Sequence, residues 1–198
     1  YIPNGAHYEL WSARVKNTTD KDISLKVFSY IEFGSYIAKY DIECDWPRYF
    51  FNCEPYENAI VFDPSDDFIN EKRRLAYIST DLDIDSYDCS RDVFLGRYRD
   101  ESNPIAVENG YCSNSKINAD NACGSFCCNL KLKAGEEKEF VFSVGNAKSL
   151  EEIKSQSAAA ADKDLRMAQL DELKEFWLDN SSRLTANTPD EAMNTMLN

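Results

Sequence analysis

The chain has 198 residues, of which 43% are hydrophobic and 13% aromatic, and it carries a net charge of -13. This length and composition predict one folded domain with room for an appended helical segment, and they exclude a disordered chain. The negative charge argues against binding nucleic acid, because phosphate contacts depend on Lys and Arg, and no apolar run approaches the roughly 18 residues that a membrane span needs.

The first third of the chain predicts two β-strands followed by a long aromatic loop. Residues 9–15 form one alternating run, a polar turn covers residues 17–22, and residues 23–33 form a second run, which together predict a hairpin. One face of the second run is apolar and is assigned to the core. Between Gly34 and Glu57 the alternation weakens and seven Tyr, Trp and Phe residues crowd together, which predicts a loop.

The middle of the chain predicts further strands, and the last quarter predicts helices. Strands are expected at residues 58–62, 75–84, 125–132 and 139–144, with a turn at residues 135–137. Short strands separated by polar turns are typical of an antiparallel β-sandwich. After Ser149 the apolar residues change to helical spacing, which predicts a connecting segment of two helices.

The last residues predict the beginning of another helix. Thr188 is expected to be the N-cap, Pro189 the first helical residue and Glu191 the third. The apolar stripe that follows reaches the last residue, and an isolated helix of about ten residues is marginal. We therefore expect the native polypeptide to continue into a further helical domain.

Cysteine usage indicates a reducing compartment. The chain has an odd number of cysteines and no basic and apolar signal-peptide layout at its start, so reduced thiols in a cytoplasmic protein are expected. A zinc cluster of Cys112, Cys123, Cys127 and Cys128 is disfavoured, because there is no Cys-x-x-Cys pair and adjacent strand residues point to opposite faces.

The aromatic loop contains the candidate binding residues. Trp46 and Arg48 stand together in Trp46-Pro47-Arg48-Tyr49. Flat aromatic rings cover the apolar faces of sugars, and Arg offers several fixed donors to hydroxyl or phosphate groups. A loop packed on its own domain would account for the same residues, and the pattern leaves both interpretations open.

Three other features invite a chemical interpretation. Glu32, Glu43 and Asp45 could supply a carboxylate pair of the kind that glycosidases use, although hydrogen-bonding roles are favoured. Residues 81–92 imitate a calcium loop, but a serine replaces the required glycine, and the alternation favours a half-exposed strand. His7 has no Ser or Cys motif around it, which favours a structural or surface role.

Several stretches, in their order and spacing, resemble the cellobiose phosphorylase family, glycoside hydrolase family 94. They are VKNTTD (residues 15–20), LKVFSYIEF (25–33), DCSRDVFLG (88–96), NPIAVENG (103–110) and LKAGEE (132–137), followed by TPDE (188–191). The resemblance implies a mainly β fold: an antiparallel β-sandwich over residues 1–147, a helical linker over 148–187, and at 188–198 the start of the first helix of an (α/α)6 barrel.

Enzymes of that family cleave a β-linked disaccharide or oligosaccharide with inorganic phosphate and invert the linkage to give an α-sugar 1-phosphate. Their acid is an Asp on the barrel, and phosphate is itself the nucleophile, so neither a water-activating base nor a cofactor is required. The resemblance therefore implies that this chain is a non-catalytic part, inactive alone, of an enzyme that takes a β-glucoside and phosphate. The alternative is a free-standing carbohydrate-binding or interaction sandwich.

Members of the family are homodimers in which the sandwich of one subunit borders the active site of the other. By position, the resemblance implies that Arg48 reaches the partner's sugar pocket and that Trp46 accompanies it. Pro47 stands where cellobiose-specific members are expected to have Gln, so the identity of the sugar stays open.

Overall fold

The computed structural model describes residues 1–34, 49–64, 74–183 and 185–197. Within these ranges the strands are β1 Tyr8–Lys16, β2 Ile23–Phe28, β3 Ile31–Glu32, β4 Asn52–Tyr56, β5 Ala59–Asp63, β6 Leu75–Thr80, β7 Asp83–Ser90, β8 Ile117–Asn118, β9 Ala122–Leu132 and β10 Glu137–Ala147. The helices are α1 Arg91–Leu95, α2 Ile105–Asn109, α3 Leu150–Ala161, α4 Lys163–Ser182 and α5 Glu191–Leu197. In the described residues, no helix has the length and apolarity to cross a membrane.

The strands form two antiparallel sheets. Sheet A has the order β1-β10-β6-β5-β4-β8. Sheet B is narrower, with β9 at its centre, β2 and β3 along one edge and β7 along the other. β9 packs over β4 and β5, and β7 packs over β4, so the two sheets face each other. The antiparallel pairing and the following helices confirm the predicted β-sandwich with a helical segment.

The pairing of β1 and β2 differs from the sequence prediction. β1 pairs with β10 in sheet A and β2 pairs with β9 in sheet B, so the predicted hairpin is wrong. The turn at residues 17–22 crosses from one sheet to the other. Asn17 is buried in this crossing, and its side-chain amide donates to the carbonyls of Lys21 at 2.8 Å and Lys133 at 2.9 Å. Since each strand has its own apolar face, the two can line the same core from opposite sheets.

Two apolar layers hold the domain together. The larger core lies between the sheets and includes Phe62, Phe126 and Phe142. The smaller core lies between the outer face of sheet A and α3, and it includes Tyr77 and Ile153. Sheet A is therefore buried on both faces at its centre, which explains the continuous apolar run in β5.

The remaining strand predictions hold in part. β5, β9 and β10 lie where strands were expected. β4 lies inside the segment predicted to be a loop, and the single strand predicted at residues 75–84 is divided into β6 and β7 by a turn at Asp81 and Leu82. The short helices α1 and α2 were not predicted, because five residues are too few to display helical periodicity.

The two connecting helices occur as predicted. Ser149 caps α3 by accepting the amide of Glu152 at 3.2 Å, and Asp162 caps α4. The predicted cap of α5 is wrong. Asp190, instead of Thr188, accepts the amides of the first turn, at 2.9 and 3.3 Å.

A buried arginine joins the two connecting helices. Arg166, 5% exposed, donates to the carbonyls of Ala160 at 2.6 Å and Ala161 at 3.0 Å in the last turn of α3. Asp81 and Glu139 each approach the same guanidinium to 3.8 Å. Arg166 thus links α3 and α4 to sheet A. The domain limits at residues 147 and 187 stay predictions.

Candidate functional site

The two residues predicted to bind substrate, Trp46 and Arg48, lie outside the described residues, as do Glu43 and Asp45. The structure describes the chain on both sides of them, up to Gly34 and again from Tyr49. The binding role of Trp46 and Arg48 therefore stays a prediction. What the structure adds is the geometry of the described residues on either side of their segment.

Both flanks of residues 35–48 pack on one phenylalanine of sheet A. Phe33 stacks on Phe62 with ring centroids 5.1 Å apart and planes 5° apart, and Phe51 contacts Phe62 edge-on at 4.9 Å. Backbone hydrogen bonds hold both flanks: the Phe33 amide donates to Ala122 O at 3.1 Å, and Phe51 O accepts the Ala119 amide at 2.7 Å. We call these three rings the aromatic base. Because aromatic pairs add to simple burial, the base fixes where the segment begins and ends.

The aromatic base rests on a glycine. A Cβ placed on Gly124 of β9 would lie 2.6 Å from Ile78 Cγ2 and 3.0 Å from Phe33 Cε2. Since real Cβ atoms do not approach other atoms so closely, β9 can pass beneath Phe33 only with glycine at this position.

A polar cluster lies beside the aromatic base, at the end of β3. Glu32 Oε1 accepts the Tyr30 hydroxyl at 2.6 Å and Arg91 Nε at 2.8 Å. Arg91 also donates to Glu101 at 3.4 Å, and Tyr30 stacks on Phe94 of α1 with centroids 5.0 Å apart. The cluster therefore ties β3 to α1 and to the loop that follows α1.

The cluster holds Glu32 as an anion. Partial burial acts to raise the pKa of Glu32, but the hydrogen bonds from Tyr30 and Arg91 outweigh it and the pKa is lowered. The pKa of Tyr30 is raised, chiefly by burial and then by its bond to Glu32. A general acid needs a raised pKa at neutral pH. Glu32 therefore has the favoured hydrogen-bonding role and is not a proton donor.

The calcium-like segment is structured by other contacts. Asp83 and Asp85 belong to β7, where Asp85 accepts Lys26 at 2.7 Å and Asn129 at 3.0 Å. Asp81 accepts the Val141 amide at 2.8 Å. Across the described ranges, no three His, Cys, Asp or Glu side chains come together as metal ligands.

The described cysteines are buried free thiols. Cys128 belongs to the core between the sheets, whereas Cys127 packs with α1 and α2, so the two point to opposite faces of β9 as predicted. Burial raises the pKa of Cys128 to about 12 and also raises the pKa of Cys112 and Cys123. Thiols that stay protonated are poor nucleophiles and poor metal ligands.

His7 is exposed, and its backbone carbonyl accepts the Asn146 amide at 2.9 Å, in line with the structural or surface role expected of it.

The sequence did not single out Tyr30, Arg91 or Phe94. Arg91 and Phe94 lie in DCSRDVFLG, one of the stretches that carried the resemblance, and that was the available signal.

Comparison with known proteins identifies the family. The model of the glycosyl hydrolase 94 supersandwich domain matches residues 1–163. The chain belongs to the glycosyl hydrolase 94 family. The family sandwich thus accounts for both sheets, the polar cluster and α3.

Curated relatives align over the whole chain. N,N'-diacetylchitobiose phosphorylase from Vibrio furnissii is 31% identical and that from Vibrio proteolyticus 32% identical, and the alignment covers 24% of each. The 3-O-beta-D-glucopyranosyl-beta-D-glucuronide phosphorylase from Paenibacillus borealis is 29% identical, with 26% covered. The chain spans about a quarter of the length of these relatives.

Proposed function

We propose that this chain is the non-catalytic sandwich and linker of a glycoside phosphorylase. The parent enzyme would cleave a β-linked gluco-disaccharide or oligosaccharide with inorganic phosphate and invert the anomeric centre to give an α-sugar 1-phosphate. The supporting observation is the alignment of the whole chain with phosphorylases that act on different disaccharides. The catalytic acid would lie in the remaining part of the parent.

The reaction needs few groups from the sandwich. Phosphate forms the new bond to the anomeric carbon while the acid protonates the departing sugar oxygen, so no water-activating base and no cofactor take part. The titratable groups described in the sandwich agree with a reaction whose acid and nucleophile come from outside it. Glu32 is held as an anion, and the pKa values of three buried thiols are raised.

The sandwich contributes a support for substrate-binding residues. The aromatic base holds both flanks of residues 35–48, and the polar cluster fixes the end of β3 beside it. From this support Arg48 and Trp46 would border the sugar site of the partner subunit in a cytoplasmic homodimer. Arg would donate to hydroxyl or phosphate oxygens, and Trp would cover a sugar ring.

The first test is the activity of the parent and of the chain alone. With phosphate and a panel of cellobiose, N,N'-diacetylchitobiose and related β-disaccharides, the full-length parent should release a sugar 1-phosphate, and the purified 198-residue chain should release none. Release by the chain alone would place the acid within it. A parent that binds these sugars without phosphorolysis would favour the carbohydrate-binding sandwich.

The second test concerns Arg48. In the full-length parent, Arg48→Ala should raise KM or lower kcat by about tenfold or more, because a charge-assisted hydrogen bond contributes about 1.5–3 kcal/mol. Arg14→Ala is the matched control, since Arg14 is an exposed arginine on β1. Thermal unfolding of both variants should match the wild type. Unchanged kinetics of Arg48→Ala would return this residue to a structural role.

A further inference from the structure

The turn between β8 and β9 is hydrogen-bonded to both described flanks of residues 35–48. This turn comprises residues 119–121 and is called the β8–β9 turn below. The Ala119 amide donates to Phe51 O at 2.7 Å. Ala122 O, directly after the turn, accepts the Phe33 amide at 3.1 Å. Two segments that are distant in the sequence are therefore held by the two ends of one short connection.

The β8–β9 turn is also the place where the chain passes from one sheet to the other. β8 pairs with β4 in sheet A, whereas β9 pairs with β3 in sheet B. Phe51 directly precedes β4 and Phe33 directly follows β3, so each flank lies beside one end of the turn. The conformation of the turn therefore sets the separation of the two flanks.

A third hydrogen bond ties the β8–β9 turn to the polar cluster. The Arg91 amide donates to Asn121 O at 3.1 Å, and the Arg91 guanidinium donates to Glu32 at 2.8 Å. Arg91 thus joins the turn to the residue that precedes Phe33. Inside the turn, the Asn121 amide donates to Asp120 Oδ1 at 2.7 Å. These contacts restrain the turn from both sides.

Ala119 has an unusual backbone conformation in this turn. Its φ is +74°, in the left-handed region that residues with a Cβ rarely adopt. The Ala119 side chain is exposed, so burial of its methyl group does not account for the conformation. A strained residue of this kind persists where the surrounding structure over-determines it, and here the hydrogen bonds to the two flanks and to Arg91 provide that restraint.

Alanine restricts the turn more than glycine would. Glycine adopts a positive φ without the steric cost, but it also has access to many other conformations. A Cβ at residue 119 therefore narrows the set of conformations that the turn can take. A narrower set of turn conformations means a narrower range of separations between Phe33 and Phe51.

We propose that the β8–β9 turn is a positioning element and that Ala119 is its positioning residue. By fixing the separation of the two flanks, the turn fixes how Arg48 and Trp46 are presented to the sugar. The inference rests on the proposed function in one respect, namely that Arg48 and Trp46 bind the substrate of the parent enzyme. Ala119 acts through the flanks and contributes no group to the reaction.

Glycine at residue 119 separates positioning from stability. In the full-length parent, Ala119→Gly should raise KM for the sugar about tenfold, since a displacement of about 1 Å remote from the chemistry can cost about 100-fold. The thermal midpoint should be unchanged or higher, because the strain at a positive φ is relieved. A raised KM with a lowered midpoint would indicate loss of folding and would overturn the inference.

Asparagine at the same residue is the conservative variant. It tolerates the left-handed region because its short polar side chain bonds locally, yet it keeps a Cβ and is stiffer than glycine. Ala119→Asn should therefore keep KM near the wild-type value. Equal rises in KM for the glycine and asparagine variants would overturn the role assigned to Ala119.

Glu57→Gly is the matched control. Glu57 also has a positive φ, 52°, and it lies in the turn between β4 and β5, at the opposite end of β4 from Phe51. Its ion pair with Lys154 is exposed and contributes little. This variant relaxes the same kind of conformation away from the flanks, so KM should stay at the wild-type value.

Hydrogen exchange of the full-length parent provides a measurement that does not depend on activity. In Ala119→Gly the amides of Phe33 and Arg91, which donate to residues 122 and 121, should exchange about tenfold or more faster than in the wild type. The Asn17 amide, which donates to Glu136 O at the crossing after β1, is the internal control and should be unchanged.

The two measurements distinguish this inference from the proposed function. An active parent whose Ala119→Gly variant keeps the wild-type KM overturns the inference alone. An inactive parent in which Ala119→Gly still accelerates exchange at Phe33 and Arg91 contradicts the proposed function alone.

Discussion

Glu32 shows how single residues of this sandwich support a site without performing chemistry. Its carboxylate accepts Tyr30 and Arg91, and its side chain is 47% exposed. Asp88 is the buried counterpart: it accepts the amides of Ser113 and Ser115 and the Ser115 hydroxyl, at 2.7 to 3.1 Å. Both carboxylates have donors aimed at them and so organise the neighbouring backbone and side chains.

The lowered pKa of Glu32 predicts a pH-dependent contribution to stability. Since the folded pKa lies below the ordinary value of 4.5, the contribution is fully present above about pH 4.5 and is lost as the pH falls through the folded value. Glu32→Gln should therefore lower the urea midpoint at pH 7, and the difference from the wild type should shrink below pH 4.

The matched control for this experiment is Glu172→Gln, which changes an exposed carboxylate on α4. Its difference from the wild type should be small throughout the titration. A Glu32→Gln difference that stays constant from pH 7 to pH 3.5 would contradict the ionic role assigned to Glu32.

At the scale of elements, the connecting helices differ in how they are held. α3 packs on β6 and β10 and buries Ile153 and Ala160, whereas Arg166 is the one buried residue of α4 in the described structure. Apolar residues of α4, among them Trp177 at 62% and Leu178 at 67% exposure, face outward. Arg166 thus contributes the buried part of the attachment of α4, and it also satisfies the carbonyls at the end of α3.

Arg166→Met should loosen the end of α3. Removing the guanidinium leaves the carbonyls of Ala160 and Ala161 without this donor and takes a nearby cation from Asp81 and Glu139, of which Glu139 keeps Arg14 at 3.5 Å. We expect a local loss of about 2–3 kcal/mol, which corresponds to exchange about 30- to 150-fold faster at the amides of this last turn. Hydrogen exchange by mass spectrometry measures it.

Arg183→Met is the control for this change, because Arg183 is 69% exposed and pairs only with Asp179 across one helical turn among its described contacts. Its effect on exchange in α3 should be negligible. Equal effects of the two substitutions would show that Arg166 does not join the helices.

The sequence predicted where the strands and helices lie better than it predicted which strands pair. The alternation in β1 and β2 identified both strands, but alternation reports only that one face is buried and not which sheet covers it. The hairpin was therefore wrong, and the buried Asn17 that directs the crossing is visible only in three dimensions. Among the candidate site residues, Glu32 was singled out because it is a carboxylate. Its partner Arg91 lies 59 positions away in the sequence and was not singled out.

At the scale of the whole molecule, the core and the proposed site share side chains. Gly124 lies deep between the sheets, yet the nearest ring to its absent Cβ belongs to Phe33 of the aromatic base. A change of packing in the core is therefore transmitted to the described flank that precedes residues 35–48. Close-packed interiors pass on such changes because they have few voids to absorb them.

Gly124→Ala in the full-length parent should lower both stability and activity. The added methyl group must displace Ile78 or Phe33, at a cost of about 1–3 kcal/mol. We expect KM for the sugar to rise together with a lower thermal midpoint. The double variant Gly124→Ala with Phe33→Leu relieves the 3.0 Å contact but keeps the 2.6 Å contact with Ile78, so stability should recover in part at most while KM stays raised, because the stacked ring is absent. Recovery of both would contradict a positioning role for Phe33.

The strand order of sheet A also has a consequence for synthesis on the ribosome. Among the described strands β1 pairs with β10, and Tyr8 meets Gly145, so this ladder cannot form until β10, which follows eight other described strands, has been made. At about 5–20 residues per second, β1 waits roughly 7–30 seconds for β10. A holdase chaperone that binds the edge of β1 destined for β10 would act in this interval.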